Sequence, residues 1–397
     1  MKLDNRAANI EYSLAQSGYW MSLCAAVSCA AVFLQARGYT NSQLGLVLAA
    51  GNAAGFILSI YLGGVVDRSE KVDTVDMLWI LLIAQGLIIV SLFFLPGRSA
   101  ALSVCYSLYL TVNVCIIPLI NQLCFDLNTI GCDINYGVDR GIGSLAYALC
   151  AAALGALVDR FGTELLIPAG LVIDGLQMVV LFFITLRFRR STVSRVADTV
   201  TERGSSMLSF VKDNSRFCLL MLGLMLMWFT YRLFDNFLIN IVRNVGGGTQ
   251  DMGNLNAFMA VLELPAMFLY ARIAKRQSAS RSIRIALVFL AVKALCIALS
   301  TTLPMLFAAH SVQAVSYALL TPAQVDYTNK IIPRKDATRG QSLSYAVSTV
   351  GGIFATFFGG RMYDTLGVRP TLMIGVAVSV IGMAVSQLAV EKTPVES

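Results

Sequence analysis

Hydrophobic residues in this chain come in long uninterrupted blocks, not in the short periods of soluble helices or strands. Apolar runs bounded by charge or turn residues fall at roughly 12–36, 42–66, 76–95, 100–126, 138–158, 164–186, 216–242, 252–271, 283–302, 304–329, 340–360 and 370–390. A helix needs about 20 apolar residues to cross a ~30 Å hydrocarbon core. The pattern therefore predicts an all-α membrane protein of twelve transmembrane helices. Most connections are tight, such as Arg37 to Ser42 and Pro96 to Ser99. The exception runs from Arg187 to Arg216 and carries Arg187, Arg189, Arg190, Arg195, Arg203, Lys212 and Arg216. It divides the spans six and six. The expected organisation is one six-helix bundle over 1–186, a cytoplasmic linker over 187–215, and a second bundle over 216–397.

Composition agrees. Of 397 residues, 57% are hydrophobic and 13% are charged, against about 25% charged in soluble domains. In water such a surface would aggregate. Twelve spans with short loops leave no room for a soluble catalytic domain. The net charge of +7 sits in short loops, as topology signals do, so no nucleic-acid partner is expected. With the amino terminus in the cytoplasm, the 30 Lys and Arg divide 21 inside to 6 outside, with Arg140, Arg232 and Lys293 in or at the edge of spans. That imbalance predicts a multi-pass protein of the cell (inner) membrane with both termini cytoplasmic. Residues 1–11 are polar, so no cleavable signal is expected. The nine cysteines show no CxxC spacing and read as packing residues. A single histidine gives no zinc pair, and no nucleophile–base motif supports an intramembrane enzyme.

Two motifs recur. Arg140-Gly141 precedes Ser144-Leu145-Ala146-Tyr147, and Arg339-Gly340 precedes Ser342-Leu343-Ser344-Tyr345. Gly155-x-x-x-Asp159-x-x-Gly162 returns as Gly360-x-x-x-Asp364-x-x-Gly367. Both copies bracket the fifth span of a half and run in the same direction. Two parallel, pseudo-symmetric halves with a cavity between them are expected.

Ionisable residues inside spans cost ~2.5–3.5 kcal/mol on insertion scales and so mark candidate sites. Asp174 in span 6 has no partner legible in the sequence. Arg232 and Asp235, three apart in span 7, share a face and form either a self-neutralising pair or part of a charge network. Glu263 stands alone in Leu262-Glu263-Leu264-Pro265 and is either a proton carrier or a hydrogen-bonded structural acid. Lys293 lies in span 9. His310 in span 10 is either a packing residue or a relay. Arg140, Gly143 and Tyr147 form one stripe of span 5. The guanidinium could hold hydroxyls of a solute and the phenol could stack on a ring, or the pair could serve topology and packing. Asn121, Gln122 and Trp20 complete the candidate solute contacts. Gly63, Asp67 and Arg68 end span 2 in a Gly-x-x-x-Asp-Arg turn that suits gating.

At these residues the chain resembles the major facilitator superfamily. Gly63 to Lys71 looks like its loop 2–3 signature. Ile134 to Ser144, Thr230 to Asp235, Glu263 with Met267-Phe268, Pro333 to Gln341 and Gly360 to Gly367 resemble the oligosaccharide:proton symporters, the lactose permease group. The resemblance implies that Arg140 binds sugar hydroxyls and Tyr147 takes the place of an aromatic platform. It implies that Glu263 links sugar to proton, that His310 and Asp235 join the charge network, and that Lys293 approximates a helix 9 arginine. The chain departs from the group at Gln122, which stands for a sugar-binding glutamate, and at Gln313, which stands for the proton-carrying glutamate. Arg232 replaces an acid and Ala266 an asparagine. Galactoside specificity does not carry over. A coupled proton would fall to Glu263, Asp235 or Asp174.

The expectation is a secondary active transporter working by alternating access. It would couple symport of a sugar, glycoside or similar small polar solute to the proton gradient. No other cofactor is expected, and the partners are the solute and membrane lipid, with the chain a monomer. An exporter of amphipathic compounds and a non-transporting sensor of the same fold are the alternatives.

Overall fold

The computed structural model describes residues 5–69, 72–95, 97–190, 207–333 and 336–393. Among them there is no strand. The helices are α1 (Asn5–Leu23), α2 (Ala30–Ala36), α3 (Asn41–Arg68), α4 (Thr74–Phe94), α5 (Ala100–Thr129), α6 (Tyr136–Phe161), α7 (Leu166–Arg190), α8 (Met207–Asp213), α9 (Ser215–Asp235), α10 (Leu238–Asn244), α11 (Thr249–Ala274), α12 (Ala279–Leu299), α13 (Leu303–Ser311), α14 (Tyr317–Ile331), α15 (Ala337–Leu366) and α16 (Val368–Ala389). Polar side chains just before the apolar runs start them. Thr40 and Gln43 close a capping box on α3, Asp73 and Asp76 one on α4, and Ser99, Ser278 and Thr302 cap α5, α12 and α13.

Ten helices among the described residues are long and apolar enough to span a membrane. An eleventh is α1 with α2, if that pair, bent by 41°, is one span. Helix α11 occupies the place expected for the eighth span. Three expected spans are broken. A π turn, Cys24–Ser28, separates α1 from α2. Asn236-Phe237 separates α9 from α10, and a 3₁₀ turn, Val312–Ala314, precedes α14. The first lies in apolar sequence, whereas Asp235-Asn236 flank the second and His310, Ser311, Gln313 and Ser316 the third; all three fall inside runs long enough to read as single spans. The expected linker begins as helix up to Arg190 and includes α8; residues 191–206, with Arg195 and Arg203, lie outside the described ones.

The chain forms two compact units, Met1–Ala197 with Thr249–Ala257, and Asp198–Gly248 with Phe258–Ser397. In the first, α1 packs on α6 and α7, and α4 on α5 and α7. In the second, α9 packs on α15 and α16, and α12 on α14 and α16. The same scheme therefore recurs at corresponding spans, as the internal repeat predicts. The repeat also ends in matching backbone. Gly162 (φ 86°, ψ 169°) follows α6 and Gly367 (φ 80°, ψ −176°) follows α15, both in a region open essentially to glycine alone.

Each unit has its own core, with Tyr12, Leu78, Ile116 and Leu123 in the first and Phe217, Leu224, Leu287 and Tyr327 in the second. Small residues let helices approach: a Cβ at Gly382 of α16 would lie 2.8 Å from the carbonyl oxygen of Gly223 in α9. Large apolar side chains point outward, including Ile57, Phe94 and Leu388, which is 76% exposed. Lipid is the solvent that tolerates them.

Candidate functional site

In the first unit, the start of α6 is pinned to α1. Asn9 Nδ2 donates to the Asp133 carbonyl at 2.6 Å, and the Asn135 amide donates to Asn9 Oδ1 at 3.1 Å. The Asn135 side chain then caps α6 at Val138. One turn on, the Ser13 hydroxyl donates to the buried Asp139 carboxylate. These bonds fix Arg140 against α1. Its guanidinium carbon sits 3.7 Å from the centroid of the Trp20 ring, and Nη1 donates to Ser144 Oγ at 2.6 Å. Its remaining donors have no protein partner among the described residues. Gly143 makes this possible, because a Cβ there would lie 2.7 Å from Trp20 Cδ1.

A line of polar groups continues from the indole. Trp20 Nε1 donates to Gln16 Oε1 (3.3 Å), and Gln16 Nε2 donates to the Tyr12 hydroxyl (2.8 Å) and to Asn121 Oδ1 (3.4 Å). The Tyr136 hydroxyl donates to the same Asn121 oxygen at 3.4 Å. Thus Trp20, Asn121 and Arg140 come together, as the candidate set proposes. Gln122 does not join them; it bonds Asp126 at 3.1 Å, which also accepts from Thr74. Tyr147 pairs with Ser28 at 2.8 Å, and the aromatic ring under Arg140 belongs to Trp20. Asp174, 2% exposed, accepts from Gln85 Nε2 at 2.8 Å. At the end of α3, a Cβ on Gly63 would meet nothing within 4 Å. The side chains of Asp67 and Arg68 lie outside the described ones.

In the second unit, Gln313 is the centre. Its Nε2 donates to Glu263 Oε1 at 2.7 Å and to the Tyr231 hydroxyl at 3.3 Å, while its Oε1 accepts from Lys293 Nζ. The neutral amide therefore couples a part-buried acid to a buried base. Lys293 also lies 5.3 Å from the centroid of Tyr231, which stacks on Tyr317 at 4.8 Å with Trp228 edge-on to both. Arg232 and Asp235 form the expected pair at 3.4 Å. His310 Nδ1 bonds the Leu306 carbonyl one turn back, at 2.8 Å. Asp235, Lys293, His310 and Thr230 line a cavity of about 30 Å³, room for about two water molecules. So Lys293 and Glu263 are joined through Gln313, Asp235 and His310 share the cavity wall with Lys293, and Asp174 belongs to the other unit.

The profile of the MFS_1 like family matches residues 19–374. The chain belongs to that family, within the major facilitator superfamily of membrane transporters. No curated protein sequence matches it. Among solved structures, the D323A mutant of the nucleoside transporter NupG is 13% identical, with a TM-score of 0.80 over 98% of this chain and 100% of that one. An inward-facing, unoccupied bacterial homologue of the human lysosomal transporter Spinster is 17% identical, with a TM-score of 0.71 over 98% and 97%. An auto-inhibited POT family peptide transporter is 9% identical, with a TM-score of 0.72 over 96% of each chain. At these identities the likeness is one of fold.

Within this MFS protein, sequence reasoning passed over Gln16, Tyr12, Tyr231 and Tyr317. Their signal was available only as spacing: Tyr12, Gln16 and Trp20 lie four apart, on one face of α1.

Proposed function

We propose that this MFS protein is a proton-coupled symporter for a small polar solute with a ring, a sugar, glycoside or nucleoside, moved by alternating access. The observation that carries this reading is Arg140. A half-buried guanidinium is held on an indole, with donors left over for a solute. Forked donors suit vicinal hydroxyls, and the Gln16–Asn121–Tyr136 group beside it offers further hydrogen bonds. The fold likeness to a nucleoside transporter supports placing nucleosides beside sugars among the first solutes tried. In the other unit, a part-buried Glu263 is joined through buried Gln313 to buried Lys293, and an acid so placed within a span is a candidate proton carrier. The distribution of Lys and Arg supports cytoplasmic termini.

The test is counterflow and pH-driven uptake in proteoliposomes, with sugars and nucleosides. Uptake that alkalinises the outer medium and falls on Arg140→Ala and Glu263→Gln is the expected result. Solute movement with no proton flux and no dependence on Glu263 would overturn the coupling. Binding without counterflow would indicate a sensor.

A further inference from the structure

Hydrogen-bond donors outnumber acceptors around Arg140. An indole N–H can only donate. Trp20 Nε1 therefore fixes the sense of the whole polar line. Gln16 turns Oε1 toward it at 3.3 Å, so Gln16 Nε2 is the end that faces Tyr12 and Asn121. Asn121 must then turn Oδ1 toward Gln16, and the same oxygen takes the Tyr136 hydroxyl. Both lone pairs of that oxygen are used, and Gln16 itself is 0% exposed. Asn121 keeps its Nδ2, which has no partner among the described residues. Arg140 adds its own unspent N–H groups. Among the described side chains of this group, the Tyr136 oxygen alone is left to accept.

No acid compensates the guanidinium. Arg140 makes no ion pair among the described residues. The described acids of α1, α5 and α6 are engaged elsewhere. Glu11 holds Arg187 at 2.8 Å, Asp126 takes Thr74 and Gln122, Asp139 takes Ser13, and Asp159 takes the Gln250 amide at 3.2 Å. A polyol hydroxyl both donates and accepts. Set against donors, its hydrogen finds no acceptor, and a polar group left unsatisfied on binding is costly. A carboxylate only accepts, matches the guanidinium fork with two parallel bonds, and neutralises its charge. A phosphate monoester, at about −1.5 to −2, exceeds the single positive charge on offer. We infer that the solute held at Arg140 is a ring-bearing monocarboxylate, with its carboxylate on the Arg140 fork and a ring oxygen or carbonyl on Asn121 Nδ2. This rests on the reading of Arg140 as a solute site, and it narrows the solute from neutral rings to their acids.

Matched acids and amides test it, because the two members of a pair differ in charge and share a ring. Glucuronate and glucuronamide, nicotinate and nicotinamide, and orotate and orotamide are titrated by calorimetry into the detergent-purified protein, with glucose and uridine as neutral references. At least one acid should bind, and its amide should bind about ten- to a hundredfold more weakly. Arg140→Gln should bring that acid and its amide to equal affinity. Asn121→Ala should weaken both by a similar factor. Equal affinity for acid and amide in the wild type would overturn the inference, as would a preference for the acid that survives Arg140→Gln. Binding of glucose or uridine with none of the acids would also overturn it, while leaving Arg140 as a site for neutral solutes. Should Arg140→Gln not fold, salt decides on the wild type: acid affinity that falls with rising ionic strength while that of the amide holds supports the ion pair, and parallel curves reject it. Binding of no probe removes Arg140 as a solute site and this inference with it. Solute counterflow, measured separately, reports on the transport reading alone.

Discussion

The guanidinium carbon of Arg140 rests 3.7 Å from the centre of the Trp20 ring. This contact joins α6 to α1 and, with the Ser144 hydrogen bond, fixes the direction of the charge. A cation–π contact between half-buried partners is worth about 1–2 kcal/mol. Trp20→Ala should therefore weaken solute binding by roughly 5- to 30-fold, since 1.4 kcal/mol is a factor of ten. Trp20→Phe should lose less. Equilibrium binding or counterflow half-saturation in proteoliposomes checks this; equal affinities for wild type and Trp20→Ala would refute it.

Gly143 tests the same contact from the opposite side. Because a Cβ there would lie 2.7 Å from Trp20 Cδ1, Gly143→Val should displace the indole and abolish binding. Unfolding temperature should change little, since the displaced ring is only partly buried. Tryptophan fluorescence should shift toward that of a solvated indole.

The membrane spans were legible because hydrocarbon demands long apolar runs, and the repeat was legible because Gly162 and Gly367 need a backbone that other residues resist. The site was legible only where charge flagged it. Arg140, Glu263 and Lys293 stood out against apolar sequence. Gln313 did not announce that it joins two of them, because an uncharged amide carries no such contrast. Asp174 was visible, but its partner Gln85 lies on another helix, far away in sequence. The break after α1 stayed hidden because Cys24-Ala25-Ala26-Val27-Ser28 reads like any span, and the one before α14 because His310, Ser311, Gln313 and Ser316 read as isolated polar residues inside a long apolar run.

The acid–amide–base chain predicts coupling between distant positions. Lys293→Met removes the donor to the fully buried Gln313 Oε1 and should cost about 1–3 kcal/mol, the range for leaving a buried polar group unsatisfied. Glu263→Gln in the same molecule should recover part of that loss. A double-mutant cycle on unfolding free energy should give an interaction of roughly 0.5–3 kcal/mol. Strict additivity would show that Gln313 does not link the two.

Helix termination offers a stability test with no packing involved. Nothing lies within 4 Å of a Cβ at Gly162 or Gly367, so an alanine there meets only its own backbone. Each Gly→Ala change should cost about 1–3 kcal/mol, the price of forcing that conformation. Gly63→Ala, still inside the last turns of α3 with equally open surroundings, should instead stabilise by up to about 1 kcal/mol. Thermal unfolding of the three variants separates the effects by sign.

The wide turn at Cys24–Ser28 sets the rotational phase of everything before it. A π turn holds one residue more than the α-helical turn it replaces, and one residue is about 100° of azimuth. Tyr12, Gln16 and Trp20 precede that extra residue, whereas the buried run Ala30–Leu34 follows it. Excising a single residue from Cys24–Ser28 would leave the span apolar and nearly as long. It would also swing the indole about a quarter-turn away from Arg140, or else drag Ala30–Leu34 out of the core.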